Sequence, residues 1–277
     1  MPEPSGLPAS TPPVTPVVCW EDGWRWLHAG YRIYRRNPFL MAFWVMTYWT
    51  LLGLTGLIPI AGDLLVAMLA PVLLIGLLTG CRELTRETMP PFTAILAGFG
   101  ARVQPLMGLG ILHFLLTLGA LALTAVGDGG VLLQYLARTT LGTQDLPMPD
   151  PEQLSLVGLL LALLAYVPIM LAFAYAPLLV AWRNFTLGKA LFFSLVGSWR
   201  AWRGMIGFVA AILAYGVLLP AVIMAVLAAV GFSEALLTAW VVVMMLGILA
   251  PIVAAGFYSS YEAVLPAPQS VGREGAL

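Results

Sequence analysis

Ala29-Gly30-Tyr31-Arg32-Ile33-Tyr34-Arg35-Arg36-Asn37-Pro38 is a short basic segment that ends in a helix breaker, and two long apolar stretches joined by a turn follow it. The unit recurs twice. A second lead-in runs from Ala97-Gly98-Phe99 through Arg102 to Pro105, and a third from Val196-Gly197-Ser198 through Arg203 to Gly204. The second apolar stretch of each copy carries an interior Ala-Pro pair: Ala70-Pro71, Ala176-Pro177 and Ala250-Pro251. A helix that crosses hydrocarbon needs about 20 mostly apolar residues. Leu40–Ile58, Leu64–Gly80, Leu106–Val126, Leu156–Ala181, Met205–Val230 and Leu237–Ser260 meet or approach that length. The predicted fold is therefore an all-α polytopic membrane protein. Its six transmembrane helices form three tandem hairpins, each preceded by a basic amphipathic interfacial helix.

Composition agrees with a bilayer as the solvent. Hydrophobic residues make up 61% of the chain and charged residues 9%, against about 25% charged in soluble domains. Basic and acidic residues balance at 13 each, which leaves no basic footprint for nucleic acid. Cys19 and Cys81 are too few and too far apart for a disulfide framework or a metal cluster. Residues 1–18 and 265–277 read as disordered tails around a single membrane domain at 19–264, with hairpins at about 19–82, 90–183 and 188–262. Pro59-Ile60-Ala61-Gly62-Asp63 is a turn. Asp150-Pro151-Glu152-Gln153 reads as the capped start of the fourth helix.

Twelve of the 13 basic residues fall on one side of these spans, and only Arg138 falls on the other. The positive-inside bias places the twelve, and both termini, in the cytoplasm. Six of the nine tryptophans (Trp20, Trp24, Trp26, Trp182, Trp199 and Trp202) share that side, at the headgroup level such side chains favour. On a helix from Asp22 to Arg36, Trp24, Leu27, Tyr31 and Tyr34 form one face and Arg25, Arg32 and Arg36 another. This describes a helix lying on the cytoplasmic leaflet. It serves either as an anchor for the first span or as a docking surface for anionic lipid or a membrane partner. Arg25, Arg32, Arg35, Arg36, Trp24, Arg102, Arg200 and Arg203 are the candidate surface-binding residues.

Chemistry is sparse. The span interiors hold no charged residue, which argues against ion pumping, proton coupling and voltage sensing. No paired carboxylates, nucleophile with base, or metal-ligand cluster is present, so no catalytic residue, metal or cofactor is assigned. His113 is the one ionisable side chain well inside a span. It is either a functional group or a hydrogen-bonding group between helices. Tyr166, Tyr175 and Tyr215 need hydroxyl partners, in a pocket wall or in packing. Pro71, Pro177 and Pro251 each remove a backbone donor from the carbonyl four residues earlier, at Ala67, Phe173 and Gly247. Such carbonyls must find partners in lipid. They either surround a small polar cavity on an axis between the hairpins or merely shape packing.

Two runs carry a resemblance: Gly23-Trp24-Arg25-Trp26-Leu27 with Gly30 to Pro38, and Gly76-Leu77-Leu78-Thr79-Gly80-Cys81-Arg82-Glu83-Leu84. Both resemble a family of uncharacterised proteobacterial inner-membrane proteins of about this length. The resemblance implies a six-span topology and a bacterial inner-membrane location. A looser similarity links the chain to the membrane domain attached to some glycerophosphodiester phosphodiesterases, whose soluble catalytic domain has no counterpart here. The function expected is non-enzymatic: binding of lipid, a hydrophobic molecule or a membrane partner. The alternative is a transporter or channel for an uncharged or amphiphilic solute.

Overall fold

The computed structural model describes residues 18–266 apart from 60, 87, 101, 141–149 and 151–154. Every regular element among them is helical. The two expected tails fall almost wholly outside the described residues, as does most of the expected cap at Asp150 to Gln153.

Helix α1 (Trp20–Tyr34) starts where the Asp22 carboxylate accepts the Cys19 N–H at 2.7 Å. Helices α2 (Pro38–Gly56) and α3 (Gly62–Thr85) follow, separated by a short turn. Asn37 caps α2 by accepting from Leu40 N–H, with Pro38 in the first turn, where its missing donor costs nothing. Ala97 to Phe99 of the second lead-in end a 3₁₀ helix, Phe92–Phe99. Then come α4 (Val103–Ala122), α5 (Ala125–Asp128), α6 (Val131–Thr140), α7 (Leu156–Ala174) and α8 (Ala176–Arg183). Ser155 caps α7 through Gly158 N–H. The third lead-in starts on α9 (Leu187–Arg200) and ends on the first turn of the helix after it. Helix α10 (Trp202–Leu213) runs through a π-helical turn, Ala214–Leu218, into α11 (Leu219–Ala229). Helix α12 (Glu234–Val242) runs through a longer one, Val243–Leu249, into α13 (Ala250–Val264). Among the described residues, six helices are long and apolar enough to cross a membrane: Pro38–Gly56, Gly62–Thr85, Val103–Asp128, Leu156–Arg183, Trp202–Ala229 and Leu236–Val264.

Helix α3 is the central element. Its apolar window is 44% buried, against 11% for each of the last two spans, so those two present most of their surface outward. Around α3, the core joins Met41 and Trp44 of α2, Leu106 and Leu109 of α4, and Leu178 to Val180 of α8. Glycines set the closest approaches. A Cβ at Gly76 would fall on the Ile95 carbonyl, and one at Gly98 on the Val72 carbonyl. The 3₁₀ helix therefore lies backbone to backbone on α3. The Trp44 indole adds a bond to the Phe92 carbonyl at 3.1 Å.

Arginines tie the helix ends on the α1 side. Arg36 donates to the Leu84 and Thr85 carbonyls at the end of α3. Arg183 donates to the Leu265 and Pro266 carbonyls beyond α13. Arg102 Nε donates to Asn184 Oδ1 at 2.8 Å, just past α8, where Asn184 takes a left-handed conformation with φ 55°. Cations at helix C-termini meet the last carbonyls and the negative end of the helix dipole.

Helix α1 does more than lie on a surface. Its buried face is Gly23, Trp26, Leu27, Gly30 and Ile33, and it packs chiefly on α13 and α10. Gly23 meets the backbone of Gly204 and Gly207, and Gly30 meets that of Ile252 and Gly256. Trp24 and Tyr31, expected on the apolar face, are exposed. Small residues allow this close crossing, and helices without bulky contact residues gain dispersion along the whole seam.

Candidate functional site

The three Ala-Pro pairs meet different fates. Pro71 stays inside a continuous α3, and the Ala67 carbonyl of the preceding turn abuts Gly110 of α4, at a spot a Cβ would fill. At Pro177 the helix breaks at Tyr175. Ser194 of α9 reaches into the break, accepting from Tyr175 N–H at 2.9 Å and donating to the Leu171 carbonyl at 3.0 Å. At Pro251 the preceding turns are π-helical, and the Gly247 carbonyl accepts from the Tyr34 hydroxyl at 3.1 Å. Burial, and after it the neighbouring Tyr31, pushes Tyr34 above its ordinary range, so it remains a donor at neutral pH. Of the three carbonyls four residues before these prolines, the one at Gly247 gains a side-chain donor, from Tyr34.

Two of the three sites come together. Pro71 and Pro177, with Ala67 and Phe173, line one cavity of about 210 Å³, and His113 lines it as well. Pro251 and Gly247 do not line it. The His113 ring packs against Phe173 and Tyr166, with centroids 4.9 and 6.4 Å apart.

A larger groove of about 380 Å³ lies between α1 and the last two spans. Helix α1 contributes Leu27, His28 and Tyr31. The fifth span contributes Tyr215, from its π-helical turn, with Leu219, Pro220 and Ile223. The sixth contributes Met244, Met245, Ile248 and Leu249 of its own π-helical turns, flanked by Trp240 and Ile252. Pro220 and Pro251 each lie two residues past a π-helical stretch. A π turn widens the helix and shifts its hydrogen bonding, which accommodates the missing proline N–H and bows both walls. Trp240 and Ile252 are about three helical turns apart along the sixth span.

The groove's α1 end is aromatic and polar. Trp24 packs on Tyr215 with ring centroids 5.0 Å apart. His28 Nδ1 donates to the Trp24 carbonyl at 3.0 Å, which leaves Nε2 outside this bond, because a carbonyl only accepts. The Arg35 guanidinium lies over the Tyr31 ring at 5.9 Å, and Arg32 follows Tyr31 in sequence. The other candidate cations are placed differently. Arg25 pairs with Asp22 at 3.0 Å and Glu21 at 3.5 Å in exposed positions, Arg36 and Arg102 tie helix ends, and Arg203 lies over Trp202 at 5.4 Å. Arg200, on the last turn of α9, is exposed.

Of the three tyrosines singled out in the sequence, Tyr215 lines the groove and Tyr166 flanks His113. Tyr175 is buried and donates to Ser260 Oγ at 3.0 Å. Tyr48 and the methionines of the groove carry no signal in the sequence, because they sit within uninterrupted apolar runs. Among the described residues no group of three or more His, Cys, Asp or Glu is placed to hold a metal ion.

The chain is similar to a protein of Burkholderia thailandensis described as a probable inner membrane protein. The two are 32% identical over 192 residues, which span 66% of this chain and 69% of the relative. That description gives a location and no reaction. No family model matches the chain, and no solved structure matches it. Nothing in these comparisons supports the looser similarity to the membrane domain of glycerophosphodiester phosphodiesterases.

Proposed function

This chain belongs to a family of proteobacterial inner-membrane proteins, and we propose that it holds an anionic phospholipid in the groove between α1 and its last two spans. One observation carries the reading: a groove with apolar walls and an aromatic end, where the Arg35 guanidinium lies over the ring of Tyr31. Its length of about three helical turns is comparable with the depth of one leaflet, half of a hydrocarbon core of about 30 Å. An acyl chain fits such walls without leaving a polar group unpaired, and the headgroup would meet Arg32 and Arg35 at the α1 end. Charge-assisted bonds from guanidinium to phosphate are the strong kind. Transport along a threefold axis finds less support, since Pro251 does not line the cavity that Pro71 and Pro177 share.

The test is lipid retention. Protein purified in mild detergent is expected to carry phospholipid in near-stoichiometric amount by native mass spectrometry. Ile223→Trp with Met244→Trp, which fills the groove with two indoles, is expected to lose most of it while keeping its melting temperature. Equal retention by the filled variant would sink the proposal.

We also place α1 and both chain ends on the cytoplasmic face, from the twelve-to-one distribution of basic residues. A phosphatase reporter fused after Leu265 is expected to be inactive, and a fluorescent protein fused there to be bright. The reverse pattern would invert the topology.

A further inference from the structure

The cavity at His113 shares no residue with the groove, and its chemistry is different. We propose that it is a second binding site, for the head of an uncharged amphiphile that carries a hydroxyl or carbonyl group. Tyr48 of α2 and His113 of α4 both line it. Neither side chain hydrogen-bonds another described residue, although both are partly buried between helices in the spanning region. Hydrocarbon offers no water to satisfy such groups, so a phenol and an imidazole left without partners are costly. Tyr34, Tyr175 and Tyr258 have hydroxyl partners. Tyr48 and His113 have none among the described residues, and they line one cavity.

Two further residues of the lining carry carbonyls that proline leaves without a helical donor. Ala67 and Phe173 are the residues whose carbonyls lose their i+4 donors to Pro71 and Pro177, and all four line the space. A neutral imidazole offers one donor and one acceptor, and a phenol offers both. The site can therefore donate to an oxygen and accept from a hydroxyl. No charged residue lines it, so an ionised ligand would stay uncompensated, and an uncharged one is selected. The volume of about 210 Å³ is below the range of roughly 300–1,000 Å³ usual for whole drug-sized ligands. A polar head enters, and any long chain stays outside. Phe173 and Tyr166 hold the imidazole from the side. One turn further along α4, Thr117 Oγ1 is buried with no hydrogen-bond partner among the described residues, which extends the polar strip.

The chain has two histidines, His28 and His113, so histidine-selective ¹⁵N labelling gives a two-residue spectrum that His28→Gln assigns. The full-length protein in phosphatidylcholine nanodiscs is titrated with 1-octanol, octane and octanoate. Octanol is expected to move the His113 ring signals saturably and leave those of His28 in place. Tyr48→Phe keeps the ring and removes the hydroxyl, and it should weaken the octanol midpoint roughly threefold to tenfold, as one lost hydrogen bond does. Octane should have no effect, and octanoate should act only weakly. The proposal fails if octanol leaves His113 unmoved, if octane moves it equally, if octanoate binds as well as octanol, or if Tyr48→Phe titrates like the parent protein.

Discussion

Gly30→Val is expected to detach α1 from the membrane bundle and to abolish lipid retention in the groove. The new Cβ would land on the backbone of Ile252 and Gly256, and backbone cannot swing aside as a side chain can. Overpacking a close contact costs about 1–3 kcal/mol, and an obstruction of main chain by main chain belongs at or above the top of that range. Helix α1 supplies one groove wall through Leu27, His28 and Tyr31, so its departure opens the groove along its length. Limited trypsinolysis should show faster cleavage at Arg25 and Arg32, and native mass spectrometry should show the lipid lost. Gly53 is the internal control: a Cβ there meets nothing within 4 Å, and Gly53→Val should behave like the parent protein. If the two variants are equally protected and equally lipid-loaded, the glycine seam does not hold α1.

Ser194→Ala is expected to lower the melting temperature by about 5 °C or more. The Ser194 hydroxyl answers two backbone groups at once, the Tyr175 N–H and the Leu171 carbonyl, where the fourth span breaks. Ser194 is fully buried. Removing it orphans both groups away from water, at about 1–3 kcal/mol each. The loss should spread, because Tyr175 continues the chain of bonds to Ser260, which donates to the Phe257 carbonyl at 2.7 Å. Ser198, one turn on, is buried with no hydrogen-bond partner among the described residues. Ser198→Ala should therefore be neutral or mildly stabilising, and the two substitutions separate a bonding role from mere volume. Equal melting temperatures for the two variants would show that the break is held by packing alone.

The spans are legible in the sequence because hydrocarbon thickness sets a length that few soluble segments reach. Leu156–Ala181 is read directly as the fourth crossing, and the structure gives one candidate span over Leu156–Arg183, broken at Tyr175. The disturbances at Pro71, Pro177 and Pro251 are legible for the same kind of reason: proline lacks a donor wherever it sits. The answers to them are not. Nothing local in Gly247 points to Tyr34, which is 213 residues away, and nothing in Leu171 points to Ser194. The face of α1 is a sharper case. Its hydrophobic pattern selects Trp24, Leu27, Tyr31 and Tyr34, whereas Gly23 and Gly30 decide which side is buried. Glycine has no hydropathy signal to offer. Its effect is to let another backbone come close, and that shows only when the other backbone is present.

The candidate sites divide in the same way. His113 is visible in sequence as an isolated ionisable group in an apolar run. Its companion Tyr48 is not, since an aromatic residue in a span reads as packing until its hydroxyl is seen to lack a partner. The groove is less visible still. Met244, Met245 and Ile248 are unremarkable members of an apolar segment, and the π-helical turns that bow the walls arise where Pro220 and Pro251 meet neighbouring helices. Short-range chemistry, which travels with the residue, is settled by the sequence: six apolar crossings, uncharged interiors, a basic flank and three proline defects. Long-range placement belongs to the tertiary structure: the seam that seats α1, the donor that meets the Gly247 carbonyl, and the two cavities with their separate chemistries. The reason is that burial and hydrogen bonding are properties of pairs, and most of the decisive pairs here lie far apart in the chain.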